Sequence, residues 1–281
     1  MPSKSSPDST NSEVIDPQDR GLHFGDGLFE TLLKKDGQLI FWDEHYDRLC
    51  RGCLRLQLPI PEPEWLMQKL NRIGDSNLII KIIVTRGSGG RGLALPTPDH
   101  PSVYILTYPH TTAVSEEPGL AVSLCHTRLP INTNLAGLKH LNRLDYVLAA
   151  IELETRENKE EGILCDTAGF LIEGIISNLF FYLDGCIYTP SLEFSGVEGV
   201  MRNLILKYFA AQSIKVKIGR YTPELLFQAS ECFLSNSIRG IRSVRSVDQH
   251  RYAPGPIARE LNKVFNFTST TPVTQSSKHV I

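Results

Sequence analysis

Two titratable residues of this 281-residue chain have apolar sequence neighbours that could give them a chemical role. Lys139 lies among apolar neighbours in NLAGLKHLNRL, just before a long amphipathic run. A desolvated lysine amine can be neutral, and a neutral amine can attack an aldehyde or take up a proton. Glu173 ends an apolar, strand-like run, where a carboxylate could keep a ring nitrogen protonated. Taken singly, each also fits an ordinary surface charge.

The run EGVMRNLIL predicts a helix that could bind an anion at its start. Gly199 frees the backbone, so the N–H groups of Val200 and Met201 would point outward at the positive end of the helix. Arg48 could pair bidentately with a phosphate, and Ser237 could donate to it. A purely structural helix and a surface arginine remain the alternatives.

A glycine-rich run, Gly87 to Gly92, matches the pattern GxGxxG. Dinucleotide binding would require a helix immediately afterwards, and the following LALPTPDHPS cannot form one. We therefore interpret the run as a flexible loop over a pocket, with Arg86 and Arg91 as candidate anion contacts. A solvated loop without a ligand fits equally well.

The composition excludes several classes of protein. With 41% hydrophobic residues, 21% charged residues and a net charge of −2, it predicts an ordinary globular protein and offers no electrostatic basis for a nucleic-acid or membrane partner. The absence of a long apolar run and of a signal-peptide pattern predicts a cytoplasmic location. Six scattered cysteines, including the pair Cys50 and Cys53, predict buried thiols and no metal site.

The apolar patterns predict an α+β fold with two domains and mostly antiparallel sheets, because strands cluster into hairpins instead of alternating with helices. Asp36-Gly37 and Asp184-Gly185 mark two hairpin turns, and a long helix is predicted over 140–158. The predicted organisation is a disordered segment at 1–18, a small domain at 19–112, a linker at 113–122, a large domain at 123–267 and a disordered tail at 268–281.

Five segments in order resemble the fold-type IV, or class IV aminotransferase-like, pyridoxal-phosphate enzymes. They are DRGLHFGDGLFET, GLKHLNRLDYVLA, DTAGFLIEGIISNLF, YTPSLEFSGVEGVMR and ECFLSNSIRGIRSV. The resemblance implies pyridoxal 5'-phosphate as cofactor, Lys139 as the Schiff-base lysine and catalytic base, and Glu173 as partner of the ring nitrogen. It assigns phosphate and ring contacts to Arg48, Asn178, Val200, Met201, Asn236 and Ser237.

Within that family, KHLNRL, VTRGSGGRG and FGDG are most similar to the lyases that convert 4-amino-4-deoxychorismate to 4-aminobenzoate and pyruvate in folate biosynthesis. An aminotransferase acting on D- or branched-chain amino acids and a catalytically silent cofactor-binding protein are the alternatives. The resemblance also implies a homodimer. Candidate substrate contacts are Phe24 and the arginines Arg86, Arg91, Arg128, Arg143, Arg239 and Arg242.

Overall fold

The structure, a computed structural model, describes residues 15–74, 77–97, 100–110, 119–253 and 255–265. The first part of the chain forms a four-stranded antiparallel sheet of order β2-β1-β3-β4. Its strands are β1 Gly27–Lys35, β2 Gln38–Leu39, β3 Leu78–Thr85 and β4 Ser102–Pro109. Asp36 and Gly37, both with positive φ, form the turn between β1 and β2. The predicted hairpin is therefore confirmed.

Three helices accompany this sheet: α1 Arg20–Phe24, α2 Trp42–Leu56 and α3 Pro63–Asn71. Side chains alternate across β1 because successive residues of a strand point to opposite faces. Leu28 and Leu32 pack in one buried cluster with Leu49 of α2 and Leu66 of α3. Phe29, which lies between them in the sequence, lines a cavity on the opposite face. The same strand therefore anchors the small core and forms a wall of the site.

The second part of the chain forms a nine-stranded sheet of order β10-β9-β8-β11-β12-β5-β6-β7, with β13 paired to β12. Its parallel pairs are β9 with β10, β5 with β12 and β5 with β6, and its other pairs are antiparallel. The strands are β5 Leu120–Leu129, β6 Glu161–Asp166, β7 Leu171–Gly174, β8 Asn178–Leu183, β9 Cys186–Pro190, β10 Val216–Gly219, β11 Glu231–Asn236, β12 Gly240–Val247 and β13 His250–Arg251. The predicted α+β class with mostly antiparallel sheets is confirmed.

The helices of the second part are α4 Leu144–Glu154, α5 Val200–Ala211, α6 Pro223–Leu226 and α7 Pro256–Phe265. The long helix predicted over 140–158 is shorter at both ends, and its first predicted residues pair with β1 instead. The N–H of Phe29 donates to the carbonyl of Lys139 at 2.9 Å, and the N–H of Leu141 donates to the carbonyl of Gly27 at 3.0 Å. These bonds fix the backbone on both sides of His140, directly after Lys139, against the small sheet.

The two sheets come from consecutive parts of the chain, and we propose 19–112 and 123–267 as the two domains. β5 begins at Leu120, inside the range 113–122 for which the sequence predicts a linker, and residues 113–118 lie outside the described residues. The predicted disordered segments also lie outside them, except for residues 15–18. None of the helices described is long and apolar enough to cross a bilayer.

Candidate active site

A cavity of about 480 Å³ lies where β1 meets the start of α4, the ends of β7 and β11 and the start of α5. We call it the Glu173 cavity. Its lining includes every residue that the resemblance assigned to cofactor binding. These are Arg48, Lys139, Glu173, Asn178, Val200, Met201, Asn236 and Ser237.

Lys139 lies between this cavity and a second one. The second cavity, of about 570 Å³, runs along α2 and also has Phe29 and Arg48 in its lining. The Lys139 side chain is half-buried, but its amine is enclosed by protein and lies 4.3 Å from the centre of the Phe29 ring. Burial, followed by the positive charge of Arg48, lowers the pKa of Lys139 to about 7. The amine can therefore be neutral near neutral pH.

Glu173 is held at the end of β7 by three donors. The Tyr146 hydroxyl donates to Oε1 at 2.5 Å, and the backbone N–H of Val197 donates to the same oxygen at 2.9 Å. The side-chain amide of Asn178 donates to Oε2 at 2.9 Å. Burial raises the pKa of Glu173, while the hydrogen bonds from Tyr146 and Val197 act in the opposite direction. The arrangement fixes a buried carboxyl group at the cavity wall.

The start of α5 supplies unused hydrogen-bond donors to the same cavity. The helix begins at Val200 without a side-chain cap, and the first N–H groups of any helix lack partners within it. A Cβ on Gly199 would lie 1.9 Å from Oδ1 of Asn178, so glycine permits this close approach. Ser235, another lining residue, has a buried hydroxyl without a hydrogen-bond partner among the described residues. These free donors fit a phosphate group.

The remaining predicted phosphate contacts are present but already hydrogen-bonded. Arg48 donates from Nε and Nη2 to the two carboxylate oxygens of Glu30, at 2.7 and 2.6 Å, and from Nη1 to the carbonyl of Glu198 at 3.1 Å. Burial alone would raise the pKa of Glu30, but the charge and hydrogen bonds of Arg48 lower it to about 2. Ser237 donates to the carbonyl of Thr31 at 3.4 Å.

The predicted substrate contacts Phe24, Arg86 and Arg91 do not line either cavity of this chain. Arg86 is buried, donates to Asp26 at 2.9 Å and also bonds two carbonyl groups at the end of α2. Its guanidinium is therefore occupied by contacts near the four-stranded sheet, and its role as a substrate contact stays a prediction. Arg91 and Phe24 are exposed on the surface.

Sequence reasoning did not single out Tyr146 or Glu30, and it named Arg143 only within a set of candidate arginines. Arg143 donates to the carbonyl groups of His140 and Leu138, and its guanidinium lies 4.6 Å from the centre of the Tyr146 ring. Lys139 and Tyr146 are seven residues apart, a spacing that would place both on one face of a continuous helix, but α4 begins only at Leu144. No group of metal-ligating side chains occurs in the described part of the chain.

Comparison with known proteins places this geometry in a family. The family model for amino-transferase class IV matches residues 27–247. An aminodeoxychorismate lyase from Vibrio harveyi is 34% identical over 235 residues, which cover 82% of this chain and 86% of that protein. A putative branched-chain-amino-acid aminotransferase from Methanocaldococcus jannaschii is 29% identical and covers 88% of each chain.

Among solved structures, the 4-amino-4-deoxychorismate lyase from Pseudomonas aeruginosa superimposes with a TM-score of 0.83 at 38% identity, covering 89% of this chain and 93% of that one. The family-model match over residues 27–247 runs from β1 to β12 and includes the segments that line the Glu173 cavity. The chain therefore belongs to the class IV aminotransferase family.

Proposed function

We propose that this protein is a pyridoxal 5'-phosphate-dependent lyase that converts 4-amino-4-deoxychorismate to 4-aminobenzoate and pyruvate. One observation carries the proposal: an enclosed lysine amine with a pKa of about 7 lines the same cavity as a buried glutamate and an uncapped helix start. The similarity to the Vibrio and Pseudomonas lyases favours this reaction within the family.

Pyridoxal phosphate, when bound, supplies an aldehyde that reacts with amines and a ring that accepts electrons. The residues of this chain then have separate tasks. Val200, Met201 and Ser235 would hold the phosphate through their free donors, and Glu173 would keep the ring nitrogen protonated. Lys139 removes the proton from the substrate carbon that bears the amino group, and its depressed pKa makes it available as a base.

The atoms of the proposed reaction balance without a second substrate. Removing the enolpyruvyl group makes the substrate ring aromatic, and the group leaves as pyruvate once its methylene carbon has received a proton. Lys139 can return the proton that it took, so the amine is regenerated. The Lys139 amine would both attach the cofactor and move the proton. Holding this amine in place is therefore the main contribution of the protein.

The substrate carries two carboxylates, and the arginines of the Glu173 cavity differ in their availability. Arg48 is paired with Glu30, and Arg143 is bonded to backbone carbonyls. Arg239 is exposed at the cavity and forms no ion pair with the described residues. We therefore propose Arg239, one of the candidate arginines named from the sequence, as a carboxylate contact.

The test is pyruvate release. Purified protein supplied with pyridoxal phosphate and 4-amino-4-deoxychorismate should form pyruvate and 4-aminobenzoate in equal amounts, without any keto-acid acceptor. Lys139→Ala is the matched control and should release neither product. Wild-type protein that binds the cofactor and releases no pyruvate would exclude the lyase function.

An aminotransferase is the second candidate, and the similarity to the Methanocaldococcus protein supports it. It predicts amino-group exchange between a D- or branched-chain amino acid and 2-oxoglutarate at a rate above that of pyruvate release. A silent cofactor-binding protein would show neither reaction, although its bound cofactor would still absorb visible light.

We also propose a homodimer. Helix α4 exposes Leu144, Leu148 and Ile151, each more than half accessible, and their spacing places them on one side of the helix. Such a contiguous apolar face is typical of a surface that another molecule covers. Light scattering coupled to size-exclusion chromatography should give twice the mass of the chain, and Leu148→Glu should reduce it.

A further inference from the structure

We infer that Tyr146 is a positioning residue for Glu173, whose hydroxyl keeps the carboxylate ionised and fixed in direction. The inference deepens the proposed function and rests on it. Tyr146 lies in the first turn of α4, and this helix starts five residues after Lys139. A contact from α4 to Glu173 therefore links the lysine segment to the carboxylate that is proposed to face the ring nitrogen.

The hydrogen bonds of the carboxylate are unevenly distributed. Oε1 of Glu173 accepts two of them, from the Tyr146 hydroxyl at 2.5 Å and the Val197 N–H at 2.9 Å. Oε2 accepts one, from Asn178 at 2.9 Å. A carboxylate oxygen has two lone pairs, so Oε2 keeps the capacity to accept a further bond. Tyr146 thus fixes one oxygen and leaves the other for a ligand in the cavity.

The surroundings explain why this hydroxyl matters. Glu173 is 3% exposed, and a buried carboxyl group without donors is neutral rather than ionised. The charged groups that act on it are Arg143, Lys139 and Arg202, and Arg143 also covers the Tyr146 ring. A hydroxyl that donates to a carboxylate forms a charge-assisted bond, which is stronger than a neutral one.

The experiment compares two phenylalanine variants of the holoenzyme. Tyr146→Phe removes the hydroxyl and keeps the ring. Tyr208→Phe is the matched control, because the Tyr208 hydroxyl also donates to a glutamate, Glu260, at 3.1 Å on the outer surface. Both variants should bind pyridoxal phosphate. Pyruvate release should fall about 10- to 100-fold in Tyr146→Phe, as expected for the loss of a bond to a charged group, and should stay unchanged in Tyr208→Phe.

The pH dependence separates positioning from a structural effect. Because the Tyr146 hydroxyl lowers the pKa of Glu173, its loss should raise that pKa further. In Tyr146→Phe, the acid limb of the pH–rate profile should therefore move to higher pH. The acid transition in the absorbance of the bound cofactor should move in the same direction. In a Glu173→Gln background, adding Tyr146→Phe should change neither readout further. An unshifted acid limb in Tyr146→Phe would overturn the inference, as would an equal additional loss in the Glu173→Gln background.

These outcomes are distinguishable from failure of the proposed function. Wild-type protein that binds the cofactor but releases no pyruvate refutes the lyase reaction, and the absorbance titration of the bound cofactor still decides the role of Tyr146. Wild-type protein that binds no cofactor refutes both proposals.

Discussion

The protonation state of Lys139 is the quantity on which the proposed chemistry depends most directly. With the ordinary lysine pKa of about 10.4, about one amine in a thousand would be neutral at pH 7.4, whereas a pKa of about 7 makes about seven in ten neutral. Burial is the largest cause of this shift, and the nearby Arg48 guanidinium is the next. The predicted gain in reactive amine is therefore several hundredfold.

Competitive acetylation of the cofactor-free protein measures this directly. Limiting acetic anhydride is added over pH 5.5 to 10, and the acetylated fraction of the peptide that contains Lys139 is quantified by mass spectrometry, with the other lysine peptides as an internal reference. Labelling of Lys139 should rise through a midpoint near pH 7. Arg48→Met should move the midpoint upward, because it removes a nearby positive charge. A wild-type midpoint near pH 10 would refute the assignment of Lys139 as an amine tuned by its environment.

Three further predictions test individual parts of the site. Arg86→Met should lower the free energy of unfolding in urea by about 2 kcal/mol, because Asp26 loses one of its two arginine partners, and it should leave KM unchanged; a raised KM at unaltered stability would instead support Arg86 as a substrate contact. Gly199→Ala should weaken pyridoxal-phosphate binding about tenfold or more, measured by fluorescence titration, because the new methyl group collides with the side-chain amide of Asn178, which is held by its bonds to Glu173 and Val197. Arg239→Gln should raise KM for 4-amino-4-deoxychorismate about tenfold with a smaller change in kcat, whereas unchanged steady-state kinetics would remove it from the substrate site.

The hairpins show which parts of the fold local sequence determines. Asp36-Gly37 and Asp184-Gly185 form turns at the predicted positions, because their residues tolerate the positive φ that such turns require. Helix α2 also shows local apolar spacing, since its buried residues Leu49 and Cys53 lie four positions apart on one face. The predicted long helix is different: its first residues have helical spacing, but their backbone groups bond to β1. A distant strand therefore overrides local helical propensity at His140 and Leu141, directly after Lys139.

In the candidate site, too, some features follow from the sequence and others only from contacts between distant residues. The sequence by itself, through ordered motifs, determined the family and predicted Lys139 and Glu173 as site residues, since residue type and chain order can be read without coordinates. Only the tertiary structure decided their partners. It paired Arg86 with Asp26, and it brought Tyr146 of α4 into contact with Glu173 of β7. Whether two residues far apart in the chain form a hydrogen bond depends on differences of a few tenths of an ångström in the distance between them. No local sequence pattern encodes that distance.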